Sequence, residues 1–178
     1  QETPDIKIME LVSSDGGDLP AITAGAHIDV FTGVDKQCSY SIASDPTDRR
    51  RYVIGVLREA ESRGGSIWMH EEVKEGDTLK VTLPINNFPL QEDAAEHILI
   101  AGGIGISPVL AMGYRLRDLG AKFTLHYCTR SPEQTAFIGE VDEVFRQNVV
   151  YHHDCGDITR GIDLNRVSSD RPEGAHLY

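Results

Sequence analysis

The feature that most constrains the fold of this 178-residue chain is a glycine turn between an apolar run and a helix start. Residues 98–101 are all apolar, as is usual for a strand buried in a parallel sheet, and residues 102–106 read Gly-Gly-Ile-Gly-Ile. Ser107 then offers a side chain suited to an N-cap, and Pro108 suits the first helical position. Strand, turn and helix in this order predict a βα unit.

Such a turn can hold a phosphate-bearing ligand, or it can be only a turn. Glycine has no Cβ, so the backbone can approach a pyrophosphate closely, and the N–H groups at the helix start attract the anion. The sequence is not G-x-G-x-x-G, because no third glycine follows Gly105 at the right step, and it lacks the Gly-Lys-Ser/Thr of a Walker A loop. The turn alone is therefore compatible with a nucleotide site and with a tight βα connection that binds nothing.

The alternation of strands and helices continues to the end of the chain. The pattern predicts strands at 98–101, 123–128, 149–151 and 175–178, and helices at 108–119, 136–146 and 162–167. We therefore predict a doubly wound parallel-sheet domain of the nucleotide-binding kind over residues 93–178. Because the sequence stops at a strand, we expect this domain to be incomplete at its C-terminus.

The first ninety residues have a different rhythm, with short strand-like runs separated by turns. The runs lie at 6–11, 26–31, 38–42, 51–57 and 78–83, and one helix is predicted over 66–73 with Ser66 as its N-cap. Several short strands at this spacing predict a small antiparallel β-barrel over residues 1–92. The chain as a whole is therefore expected to be β followed by α/β.

Charge and composition exclude several classes of protein. The net charge is −11, from 17 Lys and Arg against 28 Asp and Glu. Nucleic acid and anionic membranes are bound chiefly through basic patches, so neither is an expected partner. No apolar run reaches the roughly 18 residues that a membrane span needs. Cys38, Cys128 and Cys155 lie far apart, without the spacing of a metal site, which predicts free thiols in a cytoplasmic protein.

Three segments resemble the ferredoxin reductase-like flavoproteins. Residues 98–108 are similar to the nicotinamide-nucleotide segment of that superfamily, and residues 39–42, Ser-Tyr-Ser-Ile, to the end of its Arg-x-Tyr-Ser flavin motif. Residues 63–66, Arg-Gly-Gly-Ser, resemble its flavin phosphate loop. The order and spacing of the three segments match along essentially the whole chain. Within the superfamily, the chain most resembles the phthalate dioxygenase reductase type, which includes vanillate and carnitine oxygenase reductases.

The resemblance implies an FMN-binding barrel, an NADH-binding α/β domain and a plant-type [2Fe-2S] domain at the C-terminus. Electrons would pass from NADH as hydride to FMN, and then singly through the cluster to a Rieske-type oxygenase as partner. The chain departs from the family pattern in three places. Cys38 stands where the motif has arginine, the sequence stops before a Cys-Gly-Pro turn near the nicotinamide, and no C-x₄-C-x₂-C run is present. We therefore expect a fragment whose cluster domain lies outside this sequence.

The resemblance also implies which residues contact each ligand, and it implies no catalytic side chain, because the flavin carries the chemistry. The residues implied for FMN are Tyr40, Ser41, Gly55, Val56, Gly64, Gly65, Ser66 and Ser107. The residues implied for NAD are Gly102, Gly103, Ile104, Gly105 and Arg130. Lys36, Arg58 and Arg63 are candidates to replace the arginine that is missing at position 38.

Several of these residues also have an interpretation without a ligand. Tyr40 could be a half-buried strand tyrosine, Ser66 a simple helix cap, and Arg130 an unpaired arginine at a strand end. The dipeptide His152-His153 could suggest a metal site, but adjacent strand residues point to opposite faces of a sheet, so no metal is expected there. Two alternatives to an NADH-dependent flavin reductase stay open. They are a flavin-binding fragment without catalysis and a ferredoxin reductase-like protein that uses FAD.

Overall fold

The first half of the molecule is antiparallel. The structure, a computed structural model, describes residues 1–33, 36–59, 61 and 64–178. The elements of this half are β1 (Ile6–Val12), β2 (His27–Thr32), β3 (Lys36–Ser41), β4 (Arg51–Leu57), α1 (Gly65–Glu71) and β5 (Lys80–Val81). β1 pairs with β4 in one sheet, while a second sheet has the order β3–β2–β5. An isolated bridge between Ile42 and Ile54 links the two sheets.

The two antiparallel sheets share one apolar core. Strand alternation turns Ile28 and Val30 of β2 inward, and both are fully buried. Ile54 from β4 and Met69 from α1 belong to the same cluster. Because side chains from both sheets and from the helix fill one core, the sheets and α1 pack as a unit.

Two polar contacts fasten α1 to the sheet that β1 and β4 form. The Lys7 ammonium on β1 lies 2.8 Å from the Val73 carbonyl oxygen and 3.3 Å from that of His70, so it neutralises the carbonyl end of the helix. The His70 Nε2 atom lies 2.8 Å from the Val56 carbonyl oxygen on β4. These contacts determine where the helix lies relative to β4.

The second half is a parallel sheet with helical crossovers. Its elements are β6 (Glu96–Gly102), α2 (Ile106–Leu119), β7 (Phe123–Thr129), α3 (Ile138–Phe145), β8 (Val149–His153), α4 (Leu164–Ser169) and β9 (Ala175–Leu177). The strands lie in the order β8–β7–β6–β9 and all pair in parallel. The chain therefore adds strands on one side of β6 and then on the other. In sheets of this kind, ligands bind beyond the carboxyl ends of the strands at the point where the order reverses.

The core of the parallel-sheet half reaches into the antiparallel half. Leu99 on β6, Leu125 on β7 and Met112 on α2 are fully buried in one cluster. Ile6 at the start of β1 and Ala43 just after β3 belong to the same cluster. One continuous set of apolar contacts therefore connects the two halves.

Antiparallel sheets followed by a doubly wound parallel sheet confirm the predicted fold class. The predicted domain boundary between residues 92 and 93 falls in the connector between β5 and β6 and stays a prediction. Within the described ranges, no helix is both long and apolar enough to cross a membrane.

Two predicted helix caps are wrong. The N-cap of α1 is Gly64, and Ser66 lies inside the helix. The helix α2 begins at Ile106, so Ser107, predicted as its N-cap, lies in the first turn. The reason is that a 3₁₀ turn over Gly103–Gly105 leads directly into the helix and moves its start toward β6.

Other element bounds also differ from those predicted. The helix α3 begins at Ile138 rather than at residue 136, because Phe137 has a positive φ of 57°. The helix α4 begins two residues later than predicted, where the Asp163 carboxylate accepts the Arg166 N–H at 3.0 Å as a cap. The strand β5 spans only Lys80–Val81, although the Thr82 N–H also donates to the Asp29 carbonyl oxygen at 2.9 Å, so the strand is shorter than the predicted run over 78–83.

Candidate functional site

A cleft of about 360 Å³, a volume in the range of small-molecule sites, lies between the antiparallel half and the carboxyl end of β6. One side, here called the strand wall, is lined by Cys38, Ser39, Tyr40, Ser41, Gly55, Leu57, Glu59 and Ser66. The other side, the turn wall, is lined by Ile104, Gly105, Ser107 and Pro108. The cleft therefore lies where the strand order reverses, the position at which doubly wound sheets bind their ligands.

The cleft brings together residues that the sequence predicted for two different ligands. Of those predicted for FMN, it is lined by Tyr40, Ser41, Gly55, Ser66 and Ser107. Of those predicted for NAD, it is lined by Ile104 and Gly105. The remaining predicted residues lie outside this lining, and they are Val56, Gly64, Gly65, Gly102, Gly103 and Arg130. The ligand contacts of both sets stay predictions.

Tyr40 alone among the described lining residues carries an aromatic ring. It lies on β3 opposite Ile28 and packs, half-buried, against the antiparallel core. Burial, reinforced by the neighbouring Cys38 and Glu59 side chains, raises the pKa of the Tyr40 phenol above its usual value of 10.0. The hydroxyl therefore keeps its proton at neutral pH, and the residue offers a flat face together with a hydrogen-bond donor.

Cys38 packs against the start of α1. It lies two residues before Tyr40 on β3, and its sulfur occupies the space that a Cβ on Gly65 would fill. Because Gly65 has no side chain, the sulfur can lie directly against the helix backbone. A longer side chain at position 38 would therefore pass over the first residues of α1.

The structure describes two of the three candidates to replace the arginine that is missing at position 38. Arg58 pairs with the Glu71 carboxylate at 2.7 Å, and Lys36 is exposed at the start of β3. Arg63 lies outside the described residues. Among the lining residues that the structure describes, Glu59 is the one charged side chain, so the described lining carries no cation.

Backbone and hydroxyl contacts organise the start of α1. Gly64 has a φ of 102°, a left-handed conformation that favours glycine. The Ser66 hydroxyl oxygen, in a residue only 9% exposed, accepts the Glu59 N–H at 3.3 Å. This contact holds the residues after β4 beside the helix start and explains why Ser66 does not act as a cap.

The glycine turn presents bare backbone to open space. A Cβ at Gly102, Gly103 or Gly105 would have no atom within 4 Å. A hydrogen bond from a buried residue supports the turn: the Tyr127 hydroxyl lies 3.1 Å from the Gly103 carbonyl oxygen. Its backbone therefore has both the freedom from side chains and the rigid support that close contact with a ligand needs.

Gly55 lies where the two walls meet. It is buried in the middle of β4, and a Cβ there would lie 2.5 Å from Cδ1 of Ile104 and 3.0 Å from Cε2 of Phe137. Val56 points its side chain the other way, into the antiparallel core, where it is fully buried. Any contact of Val56 with a ligand in the cleft would therefore involve its backbone.

Arg130 lies just beyond the carboxyl end of β7 and is exposed. Its carbonyl oxygen accepts the Cys155 N–H at 2.9 Å. Beside it, the Thr129 hydroxyl lies 2.9 Å from Nδ1 of His153 and 2.8 Å from the Thr135 hydroxyl. These polar groups lie at the edge of the sheet where the far end of a bound dinucleotide is expected.

Four lining residues were missed by the sequence analysis: Ser39, Leu57, Glu59 and Pro108. Leu57 carried a signal, because it lies two positions after Gly55 on the same face of β4. Glu59 carried none, because it follows the strand and is placed by its contact with Ser66.

Two of the histidines, His126 and His152, form a pair. The Nδ1 atom of His126 lies 3.0 Å from Nε2 of His152, and His153 bonds to Thr129 instead. Burial lowers the pKa of both His126 and His152, and the charge of the neighbouring histidine acts in the same direction. In the described part of the chain, no three His, Cys, Asp or Glu side chains are arranged to hold a metal ion.

Comparison with known proteins identifies the family, although no family model matches the chain. The chain is 42% identical over 174 residues to the reductase subunit of tert-butanol monooxygenase / tert-amyl alcohol desaturase from Aquincola tertiaricarbonis, covering 97% of this chain and 52% of that protein. It is 42% identical over 176 residues to phthalate dioxygenase reductase from Burkholderia cepacia, covering 98% of this chain and 55% of that protein.

A solved structure of phthalate dioxygenase reductase, described as modular for electron transfer from pyridine nucleotides to [2Fe-2S], aligns with a TM-score of 0.94. The identity is 41%, and the alignment covers 100% of this chain and 56% of that one. The chain belongs to the ferredoxin reductase-like proteins of the phthalate dioxygenase reductase type. It spans about half the length of the curated relatives it matches.

The residues of the cleft and of the adjoining glycine turn suit the ligands that this reductase type implies. The bare backbone of Gly102, Gly103 and Gly105 borders open space at a helix start, a cradle that suits a pyrophosphate. The ring of Tyr40 offers a flat apolar face across the cleft, which suits an isoalloxazine.

Proposed function

We propose that this chain is the flavin- and nucleotide-binding part of an oxygenase reductase that passes electrons from NADH to FMN. The observation that carries the proposal is the single cleft in which the strand wall, with Tyr40, faces the turn wall, with Gly105. Two ligands that exchange a hydride directly need adjacent sites held in a set geometry, and one cleft supplies both. The similarity to reductase subunits supports the same role.

When bound, FMN would supply the redox chemistry, a two-electron reduction by hydride from NADH that is balanced by a proton from solvent and yields NAD⁺. The residues of the chain bind and orient the two ligands. Tyr40 supplies a ring for stacking and a phenol that is protonated at neutral pH and can donate a hydrogen bond. Ser41, which lines the same wall, supplies a hydroxyl or N–H for the polar edge of the flavin.

The nicotinamide nucleotide is assigned to the turn wall and to the two glycines that precede it, Gly102 and Gly103. The backbone of Gly102, Gly103 and Gly105 would receive the pyrophosphate, because no side chain shields it and the N-terminus of α2 favours an anion. Arg130, exposed beyond β7, would reach the ribose of the adenosine or a 2′-phosphate on it. Contact with the ribose is compatible with NADH, whereas contact with a 2′-phosphate would favour NADPH, so the titration below includes both.

The FMN phosphate is assigned to the start of α1, where Gly64, Gly65 and Ser66 offer backbone and a hydroxyl. Cys38 lies against the same helix start and brings no positive charge. We therefore infer that the phosphate contributes less to flavin binding than it would beside an arginine.

We infer that the electron acceptors beyond this chain would be a [2Fe-2S] centre and then an oxygenase component. The support for these partners is the family membership, since the related proteins are reductases of oxygenase systems. All three cysteines of the chain are unpaired, which supports a reducing compartment such as the cytoplasm.

The test is to reconstitute the protein with flavin, release what is bound and identify it by mass. The same sample is then titrated anaerobically with NADH and, separately, with NADPH while the flavin absorbance is followed. The proposal expects FMN and rapid bleaching by NADH. Bound FAD would replace FMN in the scheme, and bound flavin without bleaching would indicate a flavin-binding part without catalysis. Failure to bind any flavin would contradict the proposal.

A further inference from the structure

We propose that Gly55 is a positioning residue for hydride transfer: because it lacks a Cβ, it lets Ile104 lie against β4 and so determines the spacing between the strand wall and the turn wall. The inference rests on the proposed function. It differs from the prediction made from the sequence, in which Gly55 contacts the flavin.

The contact between the walls is tight at this residue. A Cβ on Gly55 would lie 2.5 Å from Cδ1 of Ile104, 3.0 Å from Cε2 of Phe137 and 3.3 Å from the Ser107 hydroxyl. All three neighbours come from the parallel-sheet half, while Gly55 belongs to the antiparallel half. Glycine inside a strand costs stability, and its presence here coincides with a close approach of Ile104 that a Cβ would push back.

The strand β4 cannot yield to a larger residue. It pairs with β1 along its whole length, with Gly55 opposite Ile8. Its Val56 carbonyl oxygen also contacts His70 of α1, which Lys7 holds in turn. A side chain at position 55 would therefore have to displace the turn wall.

The backbone of the turn wall is equally well held. The Ser107 hydroxyl donates to the Ile104 carbonyl oxygen at 3.1 Å, and the Tyr127 hydroxyl lies 3.1 Å from that of Gly103. Behind Ile104, Phe137 is fully buried with a positive φ of 57°, and its N–H donates to Oε1 of Glu2 at 3.0 Å. The atom freest to move is Cδ1 of Ile104, at the end of its side chain.

Movement of that atom changes the cleft. Ile104 lines the turn wall beside Gly105, so its side chain, pushed from Gly55, turns into the space between the walls or moves the wall outward. Either change alters the distance between a nicotinamide on the turn wall and a flavin on the strand wall. Misplacement of about 1 Å between reacting groups can slow a reaction up to about a hundredfold.

The experiment compares wild type with Gly55→Ala in the flavin-loaded protein. The limiting rate of anaerobic flavin reduction at saturating NADH should fall about tenfold or more, whereas the FMN dissociation constant, from fluorescence titration, should stay within about twofold. The spectral change of the bound flavin on adding NAD⁺ should also shrink, which reports the spacing without turnover. An unchanged rate would overturn the inference, and so would a loss of FMN affinity by the same factor, since that would make Gly55 a flavin contact.

A second substitution tests the contact itself. Ile104→Val removes Cδ1, the atom that a Cβ at position 55 would meet first, so Gly55→Ala/Ile104→Val should recover most of the rate and of the NAD⁺ spectral change. A slow double variant would overturn the assignment to this pair. If Gly55→Ala does not fold, the thermal midpoint of the double variant decides instead, with recovery supporting the contact and no recovery overturning it.

The matched control is Gly113→Ala. Gly113 lies on α2 outside the cleft lining, and a Cβ there would overlap the Phe145 ring of α3. This variant should lose thermal stability but keep the reduction rate per bound flavin. An equal loss of rate would show that destabilisation alone explains Gly55→Ala. Wild-type protein that binds no flavin would overturn the proposed function and the inference with it, whereas normal wild-type reduction with an unaffected Gly55→Ala would overturn the inference alone.

Discussion

The two walls of the cleft differ in whether side chains or backbone atoms face the ligand space. The strand wall presents side chains, among them Tyr40 and Cys38, whereas the turn wall presents backbone at Gly105, where a Cβ would have no atom within 4 Å. A site made of side chains is weakened by removing atoms, and a site made of bare backbone is weakened by adding them. Substitution by alanine should therefore act through opposite causes on the two walls.

The largest effect is expected on the strand wall. Tyr40→Ala should weaken FMN binding about ten- to hundredfold, because stacking on an aromatic ring is worth ~1–3 kcal/mol. Tyr40→Phe keeps the ring and should bind FMN within about threefold of wild type. Fluorescence titration of the flavin-free protein measures both constants. Equal affinity of Tyr40→Ala and wild type would show that the flavin does not stack on this wall.

Adding a charged side chain to the strand wall should strengthen FMN binding. Cys38→Arg should tighten FMN binding about tenfold, since a charge-assisted hydrogen bond to a phosphate contributes ~1.5 kcal/mol or more. Riboflavin, which lacks the phosphate, is the control ligand, and its affinity should stay the same. If FMN affinity does not rise, another cation already meets the phosphate.

On the turn wall, Gly105→Ala should weaken NADH binding about three- to tenfold, the cost of losing one backbone hydrogen bond of ~1 kcal/mol. Alanine fits the backbone here without strain, because Gly105 has a φ of −60° and open space around it, so thermal stability should not fall. Gly103→Val would be less informative, since its φ of 50° strains any larger residue. The NADH concentration dependence of flavin reduction is the measurement. Unchanged dependence would mean that the turn binds no nucleotide.

The strand wall also depends on the position of α1, because Ser66 of this helix is part of its lining. No residue of α1 belongs to the turn wall as defined above. Lys7→Met removes the ammonium from the carbonyl end of α1 and should lower the free energy of unfolding by about 1 kcal/mol. Arg58→Gln is the control, because its pair with Glu71 is half exposed and worth less. Urea unfolding compares the two. Equal stability of Lys7→Met and wild type would show that the contact does not hold the helix.

The smallest effect is expected in the parallel-sheet half, away from both walls. The pKa values of His126 and His152 lie below the usual 6.5 in the folded state, so below pH 6.5 the unfolded chain binds protons first. The free energy of unfolding should therefore fall as the pH drops from 7.5 to 5.5, by less than about 1.4 kcal/mol per pH unit for each proton.

The control for this prediction is the double variant His126→Gln/His152→Gln, whose urea-unfolding free energy should depend less on pH over the same range. Carboxylates with lowered pKa values, such as Asp29, act at more acidic pH and do not contribute there. A slope unchanged by the double substitution would assign the pH dependence to other groups.

Element type and order could be predicted because local pattern reflects local surroundings. The alternation of Ile28 and Val30 appears in the structure as side chains buried in a half-covered sheet. The apolar run at 98–101 appears as part of β6, with strands on both sides of it. Helix starts were less predictable, because the Ser66 and Ser107 hydroxyls bond to neighbouring backbone rather than cap the helices.

The sequence by itself determined the two halves and the glycine turn between β6 and α2. These properties depend on residues that are neighbours along the chain, so periodicity and residue type carry them. Only the tertiary structure decided that Tyr40 and Gly105 share a cleft, and that Gly55 lies against Ile104. Such contacts join segments far apart in the sequence, and their distances follow from how whole sheets and helices pack rather than from any local pattern.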